Sequence, residues 1–377
     1  MSIWELHIIG GRGGYNLVKN IVKRYYQNVS LLGAYSRFDF LKQLISFPVD
    51  YYARAGRSSF PLNITLALTL RCNARCSMCA LSELLNADST ELSLEQYKHF
   101  IDSCVKMKPG FVLYGGEPFL RHDILEIIRI IKGHRLSCGI FTNGTLLNKN
   151  ILKEIIQLKV NFVAFSLYGT KEIHDKIVGV NGAYEKLIEN ASFLKSNRKN
   201  TKVVIHCTVS EQNIGHLEDV SNISVCDSVR FGHLTFITNQ AREKIIQELK
   251  RDFPGQDVSF RTHVFNPDLV KSKEFADNLN ELRKKVNVPF TPELSKEEII
   301  DWYNPDFKSL RKCYFVWRGV FIAPNGDVYP CMGNFYYKMG NILKEDFSKI
   351  WNNDKFVNFR LALKKGLLSA CARCCRL

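Results

Sequence analysis

Six short apolar segments alternate with helical patterns between residues 61 and 238, and this alternation restricts the possible folds most strongly. The segments predicted as strands are Pro61–Leu70, Gly110–Tyr114, Leu136–Phe141, Asn161–Leu167, Lys202–Val209 and Ser228–Leu234. Strands that alternate with helices form right-handed strand–helix–strand units and a parallel sheet. Six such units are too few to close an eight-stranded barrel. We therefore predict an α/β fold in which a partial (βα)6 barrel spans residues 61–238.

Three further segments flank or follow this region. Residues 1–60 are predicted to form a basic, partly helical N-terminal extension, residues 239–310 a connecting segment, and residues 311–377 a small C-terminal α+β module. Helices are predicted in the connecting segment at Ala241–Arg251, Ser272–Val286 and Lys296–Trp302. Hydrophobic residues make up 46% of the 377 residues and charged residues 24%, which is ordinary globular composition and excludes a disordered, collagen-like or simple coiled-coil chain.

The chain is basic, with 52 Lys and Arg residues against 37 Asp and Glu residues. The excess is diffuse and no helix-turn-helix, zinc-finger or RNA-binding signature accompanies it, so a nucleic-acid partner is not expected. Tyr15–Tyr26 has a basic amphipathic pattern. It indicates either a helix packed on the barrel or a peripheral contact with an anionic membrane surface. No apolar run approaches the ~20 residues of a membrane span, and the N-terminus does not resemble a signal peptide, so the expected location is the cytoplasm.

Twelve cysteines are many for a protein of a reducing compartment, where a disulfide framework is not expected. Four of them are scattered through apolar sequence and are predicted to be small buried side chains: Cys104, Cys138, Cys207 and Cys226. The other eight form two groups, one after the first predicted strand and one near the C-terminus. Such groups bind metal or react.

The first group is Cys72, Cys76 and Cys79, with C-x3-C-x2-C spacing in a loop that follows the first strand. Three thiolates this close can each bind one iron of a cubane cluster, which leaves the fourth iron open to a substrate or cofactor. The alternative is a zinc site that lacks its fourth ligand, since no histidine follows at finger spacing.

A second motif, Gly115-Gly116-Glu117-Pro118, ends the second strand, with thirty-five residues between it and Cys79. Glycine lets the backbone approach a ligand closely, and the Glu117 carboxylate can accept a hydrogen bond from an ammonium group. Together, the cysteine motif and this GGEP motif resemble the radical S-adenosylmethionine (SAM) superfamily, which has a partial TIM-like barrel.

The resemblance implies a catalytic cofactor pair. A [4Fe–4S] cluster on the three cysteines binds SAM through its open iron, and the GGEP motif contacts the methionyl amine. Reduction of the cluster, by a flavodoxin- or ferredoxin-type donor, cleaves SAM to a 5′-deoxyadenosyl radical that abstracts a substrate hydrogen atom.

Later strand ends match the family less closely. Asn143 follows the third strand and is a candidate lining residue. Ser166, in Phe-Ser-Leu-Tyr-Gly, resembles the serine of the family's S-L-D-G, which lies near the ribose and carboxylate of SAM. Tyr168 replaces the aspartate of that motif, so the role of the aspartate is not transferred. Thr208 and Asn213 stand where the fifth strand would approach adenosine.

The second cysteine group has Cys313-x12-Gly326-x4-Cys331 followed by Cys371, Cys374 and Cys375. Residues 324–327, Pro-Asn-Gly-Asp, are typical of a hairpin turn. In isolation, the pattern would favour a structural zinc ribbon. Beside the first motif it resembles the SPASM/twitch extension, which implies, in the shorter twitch form, one auxiliary [4Fe–4S] cluster on Cys313, Cys331, Cys371 and Cys374. Cys375 is then surplus.

We expect an enzyme that carries out net oxidation of a small molecule, such as a sugar or cyclitol, with help from the auxiliary cluster. Modification of a ribosomally made peptide by cross-linking, epimerisation or maturation is an alternative, and modification of a lipid is another. If the enzyme is an epimerase, Cys375 and Cys207 are the candidate hydrogen donors. A non-catalytic zinc or nucleic-acid-binding protein is the alternative from a different class.

Overall fold

The computed structural model describes residues 46–87, 89–253, 264–265, 269–304, 307–333 and 337–374. The amphipathic segment Tyr15–Tyr26 and the surplus Cys375 therefore lie outside the described residues, as does most of the predicted N-terminal extension. Within the described ranges, no helix combines the length and the apolar character needed to cross a bilayer.

The six predicted strands form a parallel sheet in chain order. Their bounds are β1 Asn63–Thr69, β2 Gly110–Gly115, β3 Ser137–Thr142, β4 Phe162–Ser166, β5 Lys202–Val209 and β6 Ser228–His233. The predicted α/β fold, a partial (βα)6 barrel, is confirmed.

Helices connect the strands on one face of the sheet. Their bounds are α1 Leu94–Cys104, α2 Ile124–Gly133, α3 Lys149–Gln157, α4 Lys171–Val178, α5 Ala183–Asn197 and α6 Leu217–Ser221. The start of α1 is fixed by a capping box in which the Ser93 side chain accepts from the Gln96 backbone and the Gln96 side chain accepts from the Ser93 backbone. Ile127 and Ile128 on α2 are fully buried, which gives this helix an apolar face toward the sheet.

The connecting segment contributes three helices and one more strand. The helices are α7 Asn239–Asp252, α8 Leu269–Lys285 and α9 Lys296–Trp302, and a short strand, β7 Phe290–Thr291, pairs in parallel with β6. The predicted helices begin and end within three residues of these bounds. The short strand was not predicted, because two residues carry no periodic signal.

The C-terminal module continues the same sheet. Its strands are β8 Gly319–Ile322, β9 Asp327–Tyr329 and β10 Gly340–Asn341, and its helices are α10 Phe347–Ile350 and α11 Asp354–Lys365. β8 pairs in parallel with β1 and antiparallel with β9, so the sheet order is β10-β9-β8-β1-β2-β3-β4-β5-β6-β7. The predicted turn at residues 324–327 does form the β8–β9 hairpin. The backbone hydrogen bonds between β8 and β1 therefore join the module to the barrel.

Alternate residues of each strand face two environments. Leu66 and Leu68 on β1 belong to the large core shared with the helices, whereas Ala67 between them packs with Tyr114 and Phe321. A second small cluster on this opposite, interior face contains Val112, Phe141, Phe162, Ala164 and Val204. The interior face of the partial barrel thus carries apolar and aromatic side chains at its middle levels, and polar side chains lie on it toward both ends of the strands.

Candidate active site

The loop that carries Cys72, Cys76 and Cys79 begins directly after β1, and all three side chains are half-buried. Two backbone amides point at sulfur, from Ala74 to Cys72 Sγ at 3.5 Å and from Leu81 to Cys79 Sγ at 3.4 Å. Burial, together with the neighbouring thiols, raises the pKa of the Cys72 thiol to about 11 and that of Cys76 to about 12. Each thiol therefore needs a cation to hold it as thiolate.

Hydrogen bonds fasten this loop to three other parts of the barrel. The backbone amides of Arg75 and Ser77 donate to carbonyl groups at the end of α4, at 2.9 and 3.0 Å. The Asn73 side chain donates to Thr145 Oγ1 at 2.8 Å and accepts from Asn143 Nδ2 at 2.9 Å. The Ser77 hydroxyl donates to Gln212, which follows β5, at 2.7 Å. The loop is held at several points, as a site that must position a cluster requires.

The glycines of the GGEP motif lie against the start of the cysteine loop. A Cβ atom on Gly116 would stand 2.1 Å from the carbonyl oxygen of Arg71, and one on Gly115 would stand 2.3 Å from that of Thr69. Gly115 also has a φ of +135°, in the region that favours glycine. Neither position can carry a side chain without moving backbone next to Cys72.

The Glu117 carboxylate faces the protein and is only 1% exposed. It accepts from the backbone amides of Phe119 and Asn143, at 3.1 and 2.8 Å, and from the Thr142 hydroxyl at 2.8 Å. Both carboxylate oxygens thus fasten the end of β2 to the end of β3. Burial raises its pKa to about 7 despite these three donors.

Like the Glu117 carboxylate, the side-chain amides of Asn143 and Asn213 form hydrogen bonds that hold neighbouring loops in place. Asn143 Oδ1 accepts from the backbone and hydroxyl of Thr145, while its Nδ2 binds Asn73. Asn213 is fully buried, accepts from the Ser210 amide at 2.8 Å and donates to the Thr208 carbonyl at 2.8 Å. The side chains of both asparagines are used to shape the loops around the cysteine motif.

Ser166 and Thr208 end up on the interior face. Ser166 is the last residue of β4 and is partly exposed, and its side chain hydrogen-bonds to Tyr168. Tyr168 lies close to Cys76 and stacks on the ring of His174, with centroids 5.8 Å apart. His174 is fully buried, and its Nδ1 accepts from the Tyr168 amide at 3.2 Å. A continuous set of contacts therefore leads from the cysteine loop to Ser166.

Cys207 faces the opposite way from Ser166 and Thr208. It is fully buried in the core shared with the helices, and Asn213 Nδ2 donates to its sulfur at 3.7 Å. Cys104, Cys138 and Cys226 are also buried, as predicted. Cys207 is thus placed among helix-packing side chains rather than on the wall of the interior.

Two of the C-terminal cysteines can be placed, Cys331 by the β8–β9 hairpin and Cys371 by contacts with α7. Tyr329 is opposite Phe321, so Cys331 falls near the level of Gly319, which pairs with Asn63 at the beginning of β1. The strand rise places this level about 20 Å along the sheet from the end that leads to Cys72.

Cys371 belongs to a short 3₁₀ segment that α7 holds in place. In that segment, the Ser369 amide and hydroxyl both donate to Glu248 at 2.9 Å.

The donor set of the cysteine loop fits an iron–sulfur cluster. Three half-buried thiols on one loop, with amide groups directed at two of the sulfur atoms, match a cluster whose irons stand at separate corners.

Two interior residues were missed from the sequence. His206 and Arg230 lie on β5 and β6 on the same face as Ser166, with which they are in register. The alternation that places Thr208 on this face could have identified both.

Comparisons with known proteins agree with both motifs. The family model of the radical SAM superfamily matches residues 66–223, and that of an iron–sulfur cluster-binding domain, SPASM, matches residues 313–375. The chain is 25% identical over 304 residues to the AdoMet-dependent heme synthase of Methanosarcina barkeri, covering 78% of this chain and 82% of that protein.

Two more similarities bear on relatives and fold. The chain is 23% identical over 278 residues to the PqqA peptide cyclase of Bradyrhizobium diazoefficiens, covering 72% of this chain and 66% of the cyclase. The crystal structure of Streptococcus suis SuiB bound to S-adenosylmethionine superposes with a TM-score of 0.60 at 16% identity, covering 91% of this chain and 78% of SuiB. This chain belongs to the radical SAM superfamily, with SAM and a [4Fe–4S] cluster as its cofactors, and it carries a C-terminal SPASM domain for auxiliary iron–sulfur binding.

Proposed function

We propose that this radical SAM enzyme oxidises a small organic molecule held against the interior face of the partial barrel. The observation that supports this most directly is the placement of the two cysteine groups. The cysteine loop follows the carboxyl end of β1, whereas Cys331 lies near the level at which β1 begins. A substrate on the interior wall would lie between a site of hydrogen abstraction and a site that can accept an electron.

In this proposal, Cys72, Cys76 and Cys79 hold the catalytic cluster. Bound together, the cluster and SAM supply radical chemistry, the removal of one hydrogen atom from the substrate. Gly115 and Gly116 allow close approach beside the cysteine loop. Glu117, Asn143 and Asn213 keep the surrounding loops in position through the hydrogen bonds described above. Pro118 begins the turn that follows.

Ser166 and Thr208 are the side chains that we assign to direct contact with SAM. They lie on the interior face at the carboxyl ends of neighbouring strands, where barrels of this type bind their ligands. The apolar wall below them excludes water from the reacting atoms. Cys313, Cys331, Cys371 and Cys374 are assigned to the auxiliary cluster, and a flavodoxin- or ferredoxin-type protein is the proposed electron donor.

Peptide modification is the second candidate, and its support is the similarity to the PqqA peptide cyclase. Of the hydrogen donors that an epimerase would need, Cys207 faces the helices and is not carried forward, and Cys375 lies outside the described residues. The proposed lipid substrate depends on the N-terminal extension, most of which is also outside them. A zinc-binding protein does not fit the match to the radical SAM model.

The first test is the SAM cleavage assay. The protein is reconstituted without oxygen, SAM and a strong reductant are added, and 5′-deoxyadenosine is measured by mass spectrometry. The wild type is expected to form it, and a variant with Cys72→Ala, Cys76→Ala and Cys79→Ala is expected to form none. A matched variant with Cys104→Ala, Cys138→Ala and Cys226→Ala controls for the loss of three buried thiols. Equal product from the wild type and the loop variant would refute the assignment.

A further inference from the structure

We propose that Arg230, together with His206, binds an anionic group of the substrate, a carboxylate or phosphate, inside the partial barrel. This inference rests on the proposed function and narrows its substrate class. It replaces a neutral sugar or cyclitol with a molecule that carries at least one negatively charged oxygen group.

The strand register places Ser166, His206 and Arg230 side by side on one face of the sheet. Ser166 on β4 is paired with His206 on β5, and His206 is paired with Arg230 on β6. Paired residues of neighbouring parallel strands face the same side of the sheet. Because strands are spaced at about 4.8 Å, Arg230 stands roughly 10 Å across the sheet from Ser166. An extended arginine side chain is long enough to span most of that distance.

Side-chain contacts fix the direction of His206. Its ring meets Phe141 edge-on, with centroids 5.8 Å apart, and Phe141 belongs to the interior apolar cluster. A Cβ atom on Gly232 would lie 3.3 Å from His206 Cε1, so the imidazole leans over this glycine. Gly232 and Arg230 share a face of β6, which places both the imidazole and the guanidinium on the interior wall.

The interior wall also carries positively charged side chains. On the interior faces of the described strands β1–β6, the cationic side chains are those of Arg230 and Lys202. Lys202 is exposed at the beginning of β5, four residues below His206, and so belongs to the opposite rim. Arg230 is half-buried, and burial lowers the pKa of its guanidinium. A cation on a mainly apolar wall binds an anion more strongly than one in water does.

The chemistry of the two groups indicates the ligand. A guanidinium is a planar fork of donors that pairs in bidentate fashion with a carboxylate or phosphate. An imidazole beside it adds an N–H donor. Tyr114 and Phe141 lie on the same wall, with centroids 6.1 Å apart, and supply an aromatic surface for the rest of the molecule. The wall therefore fits a substrate with an apolar or aromatic body and an anionic group.

Three probes with one ring system test this charge preference: 2-naphthoate, 2-naphthyl phosphate and the neutral 2-naphthamide. Each is titrated by calorimetry into the anaerobically reconstituted protein with SAM present. We expect at least one anionic probe to bind about tenfold more tightly than the amide, since charge-assisted pairs contribute about that much. The tighter of the two anions identifies the group. Equal affinities for all three probes would overturn the inference.

Variants tie the preference to these residues. Arg230→Gln is expected to abolish the preference for the anionic probe over the amide, and Arg230→Lys is expected to keep part of that preference. His206→Phe, which keeps an aromatic ring, is expected to reduce the preference a few-fold. Lys202→Gln is the matched control, because it removes the same charge at the opposite rim, and its preference should equal that of the wild type. If the preference persisted in Arg230→Gln, Arg230 would not be the anion-binding residue.

The same preparation separates this inference from the proposed function. The SAM cleavage assay decides the proposed function, and the titration decides the anion site. A wild type that forms 5′-deoxyadenosine and binds the amide as tightly as the anions would refute only the inference. A wild type that forms no 5′-deoxyadenosine yet prefers the anions would refute only the proposed function.

Discussion

The buried carboxyl group of Glu117 joins the ends of two neighbouring strands. It accepts hydrogen bonds from Phe119, Thr142 and Asn143, and burial raises its pKa from the ordinary value of 4.5 to about 7. A carboxyl group whose pKa is raised by folding binds more protons in the folded state than in the unfolded state. The stability that it contributes is therefore full below about pH 4.5 and is lost as the pH rises through about 7.

This gives a prediction for Glu117→Gln, whose neutral amide resembles the protonated carboxyl group. As the pH rises from 5 to 8, the unfolding free energy of the iron-free wild type should fall relative to that of the variant, by about 3 kcal/mol at most. Urea unfolding of both proteins at four pH values measures the difference. A difference that stayed constant with pH would contradict the raised pKa.

On the interior face, β3 and β4 pack a glycine against a large aromatic side chain. Gly139 on β3 is paired with Phe162 on β4, and a Cβ atom on Gly139 would stand only 1.9 Å from the Phe162 ring. The ring therefore occupies the space above the glycine. This pairing lets a large aromatic side chain lie flat in a narrow barrel.

Gly139→Ala should consequently lower the unfolding free energy by about 2 kcal/mol, because overpacking forces side chains or backbone to shift. Phe162→Leu removes the obstructing ring edge, so the added loss from Gly139→Ala should be much smaller in that background. A double-mutant cycle from urea unfolding measures this coupling. Gly133→Ala is the control, since a Cβ atom there meets nothing within 4 Å. Strictly additive losses would show that the two residues do not contact each other.

The sequence allowed much of this element pattern to be predicted, for physical reasons. Strands β1–β6 are longer than four residues and apolar, and α9 spans Lys296–Trp302 as predicted because Ser295 and Glu298 form a capping box. The cysteine and GGEP motifs were recognised because their spacing is short and fixed. Such local signals do not depend on the remainder of the fold.

Long-range pairing was not predictable in the same way. The parallel pairing of β8 with β1 depends on which sheet edge is left uncovered, and no residue of either strand encodes that partner. The contact of Glu117 with an ammonium group stays a prediction, and the structure adds what the sequence did not indicate, namely that its oxygens accept from Phe119, Thr142 and Asn143. Strand alternation could have placed His206 and Arg230 on the interior face, but their position beside Ser166 follows only from the register between neighbouring strands.

Arg360 connects distant parts of the whole molecule. It is fully buried on α11 and donates to the carbonyl groups of Val316 and Gly56 at 2.8 and 3.2 Å, and to Asn352 Oδ1 at 3.1 Å. Its guanidinium also lies over the ring of Trp351, 4.2 Å from the centroid. The residue thus joins the C-terminal module to the segment that precedes β1.

Arg360→Leu should destabilise the protein by about 3 kcal/mol, because buried carbonyl groups lose charged donors. Arg360→Lys should recover little of this loss, since an ammonium group cannot reproduce the planar fork. Thermal unfolding measures both. Lys355→Leu on the exposed side of the same helix is the control, with an expected change within about 0.5 kcal/mol. A full recovery by lysine would show that charge alone matters at this position.

The pairing of β8 with β1 has a consequence for how the protein is made. Asn63 and Gly319 are partners in the sheet although they are 256 positions apart in the chain. During synthesis β1 emerges early, but the edge that pairs with β8 cannot be covered until β8 has been made. The cysteine loop follows directly after β1. Iron insertion into a finished framework is therefore expected to follow the synthesis of β8, and the β1 edge stays exposed until then.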